Sequence, residues 1–165
     1  MQLLPRQNDA KPARRLSFSV FPKDRLTDLA SSYRFYRCVQ HLERRGSIAI
    51  RPNISWLDAG CHNGAFLRTI GELYHITDLH GCDQYSEALK SQWDSEWTYH
   101  QVGLEAGFDF GRQFDVISAL EVIEHMTDTD RFLVDVYRSL KETGTFVLTT
   151  PNINNLRKGL SLCFR

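Results

Sequence analysis

The chain has 165 residues, 42% of them hydrophobic and 24% charged, which is ordinary globular usage and enough for one domain with a real core; disordered and collagen-like classes are excluded. Twenty Lys and Arg balance twenty Asp and Glu, so no overall field recruits nucleic acid or an anionic membrane, and any basic partner surface must be local. Cys38, Cys61, Cys82 and Cys163 lie far apart with no C-x-x-C pair, and no apolar run approaches a membrane span or a signal-peptide core, so a reducing, cytoplasmic setting without zinc ribbon, redox motif or disulfide framework is expected.

Residues 1–22 carry Arg6, Lys11, Arg14 and Arg15 among prolines and polar residues without period, and read as a mobile basic arm ahead of a domain over 23–165. From Asp24, a good N-cap, apolar residues recur at Leu26, Leu29, Tyr33, Tyr36, Val39 and Leu42, and Gly46 ends this amphipathic helix. Arg51-Pro52-Asn53 forms a turn, and the sequon Asn53-Ile54-Ser55 is a chance tripeptide in a cytoplasmic protein. A first strand is expected at 54–59, a helix at 64–73 with Phe66, Leu67, Ile70 and Leu73 on one face, and a second strand at 75–82 ending at Asp83. A helix at 85–94, a weaker strand at 97–102 and a clear one at 114–119 follow. Phe132, Leu133, Val136 and Leu140 then mark a helix over 128–141, which Thr143-Gly144 ends before a fifth strand at 145–150. Strands alternating with helices make an α/β fold with a parallel sheet and right-handed crossovers. Ligands of such sheets bind outside the strand carboxyl ends where the order reverses, and Asp58, Asp83 and Leu120 to His125 all fall near those ends.

Three blocks carry the chemistry. In Trp56-Leu-Asp-Ala-Gly-Cys-His-Asn-Gly-Ala-Phe66, a buried strand leads through a glycine turn into a helix, so bare N–H groups and a helix N-terminus meet a ligand. Only Gly60 and Gly64 are present where a dinucleotide turn needs three glycines, and Asp58 opposes a pyrophosphate but suits a cationic amino group. Asp83, about twenty residues on, stands where a carboxylate accepts both hydroxyls of a ribose. It equally suits an NAD enzyme or a helix N-cap. Glu121, Glu124 and His125, placed on one helical turn, offer weak candidates for a metal that polarises an acceptor, His125 a candidate general base, and all three a plain capping and packing role.

The first block resembles the D-x-G-x-G-x-G motif of class I S-adenosylmethionine-dependent methyltransferases at Asp58, Gly60 and Gly64, with His62 replacing the middle glycine. Histidine tolerates the left-handed region at a cost of roughly 1 kcal/mol. Gly81-Cys82-Asp83-Gln84 is similar to the family's G-x-D stretch. Phe114-Asp-Val116, Glu121-Val-Ile-Glu-His125 and Leu140-Lys-Glu-Thr-Gly144 with Thr150-Pro-Asn152 resemble the branch reading F-D-V, E-V-x-E-H, L-K-x-G-G and T-P-N.

The resemblance covers about 54–152 and implies a Rossmann-like, doubly wound parallel sheet with helices on both faces. It also implies S-adenosyl-L-methionine as cofactor, with Asp58, Gly60, Cys61, His62, Gly64, Asp83, Gln84 and Leu120 binding it and His125 as the candidate catalytic residue. A small-molecule acceptor methylated at O, N or C is expected, with RNA as the other acceptor class. E-x-x-E-H also occurs in ubiquinone-pathway O-methyltransferases and in small-RNA 2′-O-methyltransferases, where a later histidine completes a metal site. Family members continue past T-P-N with strands six and seven, which are missing here. A truncated chain is therefore expected, whose residues 153–165 leave Ile153, Leu156, Leu160 and Leu162 partly exposed and whose fifth strand is an open edge able to pair in a homodimer. The alternative to an active enzyme is a truncated or regulatory domain that binds the cofactor without catalysis.

Overall fold

The computed structural model describes residues 29–45, 53–84 and 97–151. The expected basic arm at 1–22, the helix at 85–94 and the segment 153–165 lie outside the described residues. Five parallel strands form one sheet in the order β3-β2-β1-β4-β5, with β1 at Ser55–Ala59, β2 at Asp78–Asp83, β3 at Thr98–Gln101, β4 at Phe114–Leu120 and β5 at Leu140–Thr149. The described helices are α1 (Leu29–Arg45), α2 (Ala65–Tyr74) and α3 (Thr129–Ser139). This is the Rossmann-like α/β arrangement expected from the motifs, and the order reverses beside β1. Among the described residues no helix is long and apolar enough to cross a membrane.

The sheet is covered on both sides because its central strands are apolar on both faces. All five residues of β1 are buried. Trp56 and Val116 point into one core with Phe66, Leu67 and Ile70 of α2 and Val39 and Leu42 of α1. Leu57, Ala59, Ile117 and Ala119 point into the other, against Phe132 and Val136 of α3 and Phe108 of the loop after β3. At about 25 cal/mol per Å² of apolar surface, each fully buried Leu, Ile or Phe contributes about 2 kcal/mol. Period-two alternation explains the partition.

Several boundaries differ from the sequence reading. The second strand starts at Asp78 rather than 75, because His75 leaves α2 in the left-handed region (φ 56°) and Ile76 and Thr77 lead out of that turn. The third strand is shortened to Thr98–Gln101. The helix over 128–141 stops at Ser139, since Leu140 is already extended (φ −96°, ψ 135°) and pairs with Phe114. Thr143-Gly144 therefore ends no helix but lies in a bulge, where the register passes from Phe114↔Leu140 to Val116↔Thr145. The Lys141 ammonium donates to Asp115 Oδ2 at 2.8 Å and anchors that bulge.

The outer edge carries a polar network unforeseen from the sequence. His80 Nδ1 and His100 Nε2 lie 2.9 Å apart, while His80 Nε2 lies 3.0 Å from Asp78 Oδ1 and 3.0 Å from Arg112 Nη1. Burial holds both imidazoles below their usual range, and neighbouring Arg112 pushes the same way.

Candidate functional site

The turn after β1 is built by its backbone. Gly60 N–H and Cys61 N–H both donate to Cys82 O at the end of β2, at 2.8 and 3.1 Å, and Gly64 N–H closes the turn onto Cys61 O at 2.8 Å. Gly60 (φ 80°), His62 (φ 48°) and Gly64 (φ 69°) are all left-handed, so His62 does occupy the conformation in which glycine is preferred. A side chain is excluded for a second reason, because a Cβ on Gly60 would sit 2.5 Å from Val122 Cγ2 and one on Gly64 would strike the Trp97 indole.

Asp83 ends β2 beneath this turn. Its Oδ2 accepts His62 N–H at 2.8 Å and its Oδ1 accepts Gln84 N–H at 2.7 Å, so the carboxylate is oriented from both sides. A carboxylate offers about four lone-pair sites, which leaves about two for a ligand. Tyr99 O–H and Val102 N–H donate to Asp83 O at 2.8 and 2.9 Å and tie β3 to the same residue.

Asp58 behaves differently from expectation. It is 3% exposed and its Oδ1 accepts the Ser118 hydroxyl at 2.6 Å, while the Trp56 indole N–H donates to that hydroxyl at 2.9 Å. Burial pushes its carboxyl up to about 7, the Ser118 hydrogen bond opposes the rise and the Asp83 charge adds to it. The side chain serves the floor of the turn and does not reach the ligand space above. Cys61 (3% exposed) and Gly64 are likewise inside the turn, and burial pushes the Cys61 thiol up.

One open cavity of about 400 Å³ lies over the carboxyl ends of β1, β2 and β4, lined among others by Gly60, His62, Asp83, Gln84 and Leu120. Five of the eight residues expected around a cofactor thus meet on one wall; Asp58, Cys61 and Gly64 do not reach it. Beyond Leu120, Glu121 adopts φ 59° and its N–H donates to Thr149 O at 3.0 Å. The short 3-10 turn Ile123–His125 follows. The left-handed residue breaks the helical spacing assumed for Glu121, Glu124 and His125, and while Glu121 and His125 line the cavity, exposed Glu124 does not. Among the described residues no three His, Cys, Asp or Glu side chains gather to hold a metal ion, so the weak metal candidates are not brought together.

The opposite wall was missed. Leu104 and Glu105, in the 3-10 turn Leu104–Ala106 after β3, line the cavity together with Val122, His125 and Met126. This strap is docked on the start of α3. Thr127 N–H donates to Glu105 Oε1 at 2.6 Å, the Arg131 guanidinium donates to Ala106 O, and Phe108 N–H donates to Asp135 Oδ2 at 3.2 Å. Gly103-Leu-Glu-Ala-Gly107 at a strand carboxyl end was the available signal.

The family model described as "Methyltransferase domain" matches residues 30–161. The chain is 28% identical over 114 residues to the ubiquinone biosynthesis O-methyltransferase of Bartonella quintana (strain Toulouse), covering 66% of this chain and 46% of that protein. It is 29% identical over 118 residues to the mitochondrial ubiquinone biosynthesis O-methyltransferase of Mus musculus, covering 66% and 31%. The chain therefore spans about half, or less, of the length of the curated relatives it matches. Among solved structures, the plantazolicin methyltransferase BpumL with a triazolic desmethylPZN analogue and SAH superposes at a TM-score of 0.67 with 18% identity, over 87% of this chain and 55% of that one. The SAM-bound amino pentose methyltransferase CalS10 from Micromonospora echinaspora gives 0.57 with 20% identity, over 74% and 56%.

Proposed function

The chain belongs to the methyltransferase-domain family, and on that premise we propose that it binds S-adenosyl-L-methionine over the glycine turn and transfers its methyl group to O, N or C of a small-molecule acceptor. The observation that carries the reading is the acidic lining: Asp83 and Glu121 border the cavity beside bare backbone at Gly60. Two carboxylates favour a ligand with a cationic sulfonium and ammonium and disfavour a pyrophosphate.

The residues present fit such a cofactor. Asp83, held by His62 and Gln84 N–H groups, has lone pairs left for two ribose hydroxyls. Leu104, Val122 and Met126 offer apolar contact for a flat base, and Glu121 opposes positive charge near the turn. The cofactor supplies an electrophilic methyl, so the chain's own work is alignment and exclusion of water. His125, on the wall, is placed to take the acceptor proton as general base. Cytoplasmic placement follows from cysteine usage, and β5, which pairs only with β4 among the described residues, is the edge through which a homodimer would form.

Isothermal titration with S-adenosylmethionine, S-adenosylhomocysteine and NAD tests the first half. Micromolar binding of the first two and none of NAD is expected, and tighter binding of NAD would overturn the reading. A methyl-transfer assay over phenols, amines, carbon acids and short RNAs tests the second half. Turnover on RNA alone would move the acceptor class, and binding without turnover on any acceptor would assign a non-catalytic cofactor domain.

A further inference from the structure

Resting on the cofactor reading above, we infer that Glu105 is a positioning residue: it clasps the Leu104–Phe108 strap to the backbone of Thr127 and so holds the wall of Val122, His125 and Met126 against the bound cofactor. The two sides of the cavity come from distant parts of the chain, 22 residues apart at the clasp, and neither belongs to the sheet. The β2 and β4 ladders fix the floor but leave both walls free to separate. Three contacts close the gap, through Glu105 to Thr127 N–H, Arg131 to Ala106 O and Asp135 to Phe108 N–H.

Of these only the first reaches the cavity itself, since Glu105 lines it and Thr127 directly follows Met126. Arg131 and Asp135 fasten the strap farther out, on α3. A 2.6 Å hydrogen bond from a backbone N–H to a carboxylate is charge-assisted and stronger than a neutral one. In keeping with that, the Thr127 N–H holds the Glu105 carboxyl below its ordinary value although the side chain faces solvent. His125 lies two residues before Thr127, so the clasp also sets the distance from which a base can approach an acceptor.

The test uses the full chain with S-adenosylhomocysteine as probe. Glu105→Ala is expected to weaken its dissociation constant about five- to tenfold, the loss of roughly one hydrogen bond to a charged group. Glu105→Gln, whose amide oxygen still accepts, returns affinity to within about twofold of the parent. Thr127→Pro removes the donor from the other side, and Met126 already has the extended conformation (φ −84°, ψ 127°) that precedes proline comfortably. It should cost as much as Glu105→Ala, and the double variant no more than either alone. Losses that multiply in the double variant, or a harmless Thr127→Pro beside a damaging Glu105→Ala, would show the carboxylate acting on the ligand directly and overturn the inference. Wild-type affinity in Glu105→Ala would overturn it outright. If Thr127→Pro fails to fold, the Thr127 amide proton decides: it should move upfield in Glu105→Ala and stay in Glu105→Gln, and an unmoved amide overturns the clasp. A parent chain that binds neither cofactor form fails differently, removing the methyltransferase reading and this role with it.

Discussion

The two walls of the cavity are built on opposite principles. The turn after β1 is a backbone object, three left-handed residues whose N–H groups are spent on Cys82 O, Asp83 Oδ2 and Cys61 O, with Asp83 bracing it from β2. The strap after β3 is a side-chain object, pinned by Glu105, Arg131 and Asp135. A backbone turn admits few sequences and has no soft way to yield. A strap held by long side chains tolerates change and can open.

The sharpest way to break that contrast is to put a methyl group on a glycine of the turn and on a glycine of the strap. Gly64→Ala combines a left-handed φ of 69° with a collision against the rigid, buried Trp97 ring, and should destabilise the fold by about 3 kcal/mol or more. Gly107→Ala has φ 86° and ψ 157°, a region open essentially to glycine alone, and its Cβ would push on the side-chain ends of Arg131 and Asp135, which can shift where a buried ring cannot, so about 2 kcal/mol is expected. Equal losses in urea unfolding would mean the strap is as rigid as the turn.

Titration separates the walls next. Asp58, under the turn, has its carboxyl raised to about 7, so the folded state keeps a proton that the unfolded chain, near 3.8, releases. Stability from this group therefore falls as pH rises from about 4 to about 7 and is level above that, by on the order of 4 kcal/mol. Asp58→Asn should remove the slope in unfolding midpoints measured across that window. His80 and His100 act in the opposite sense, since their lowered values make stability fall as pH drops below 6.5. An unchanged slope in Asp58→Asn would show that Ser118 does not hold a protonated partner.

Ligand affinity gives a smaller effect. Asp83→Ala removes the proposed ribose acceptor and frees two N–H groups, and should weaken S-adenosylmethionine binding by about 1–3 kcal/mol. Calorimetry that finds parent affinity in this variant refutes the ribose role while leaving the strap untouched. The smallest change expected is at His62, where φ is 48°. His62→Gly should be neutral to slightly stabilising, whereas His62→Val costs about 1 kcal/mol. A fully stable valine variant would contradict the strain assigned to the turn.

Much of the fold was legible before the structure, for reasons visible in single elements. Trp56 to Ala59 and Phe114 to Ala119 are mostly apolar, broken only by Asp58, Asp115 and Ser118, because both faces of a central parallel strand are covered, and Phe66, Leu67 and Ile70 repeat at helical spacing because α2 has one buried face. Gly60, Gly64 and Asp83 could be picked out because a left-handed turn and a strand-terminal acid leave a local spacing signature. Residues 140–144 misled because Leu140 continues the helical period of Phe132 and Val136 while its backbone has already turned extended to pair with Phe114. Glu121, Glu124 and His125 misled for a related reason: one left-handed residue at Glu121 dissolves the common face that spacing alone suggests.

By itself, then, the chain's order of residues determined what depends on neighbours in sequence: the alternation of strands and helices, the glycine turn, the acid at the end of β2 and the family they share. Tertiary structure alone decided which acids face the cavity. Asp58 and Asp83 look alike in sequence, each near a strand's carboxyl end, yet Asp58 is buried against Ser118 while Asp83 stands at the cavity rim. Both lie on the same face of the pleat, since Asp58 pairs with Gly81, so the choice is set by position along the strands: Asp58 has β2 and β4 on either side of it, whereas Asp83 is the last residue of β2, level with the turn that begins at Gly60. The glycines at 103 and 107 marked the strap as a loop, but the partner of Glu105 was decided by the fold, because a contact between loops separated by a whole strand leaves no period to read.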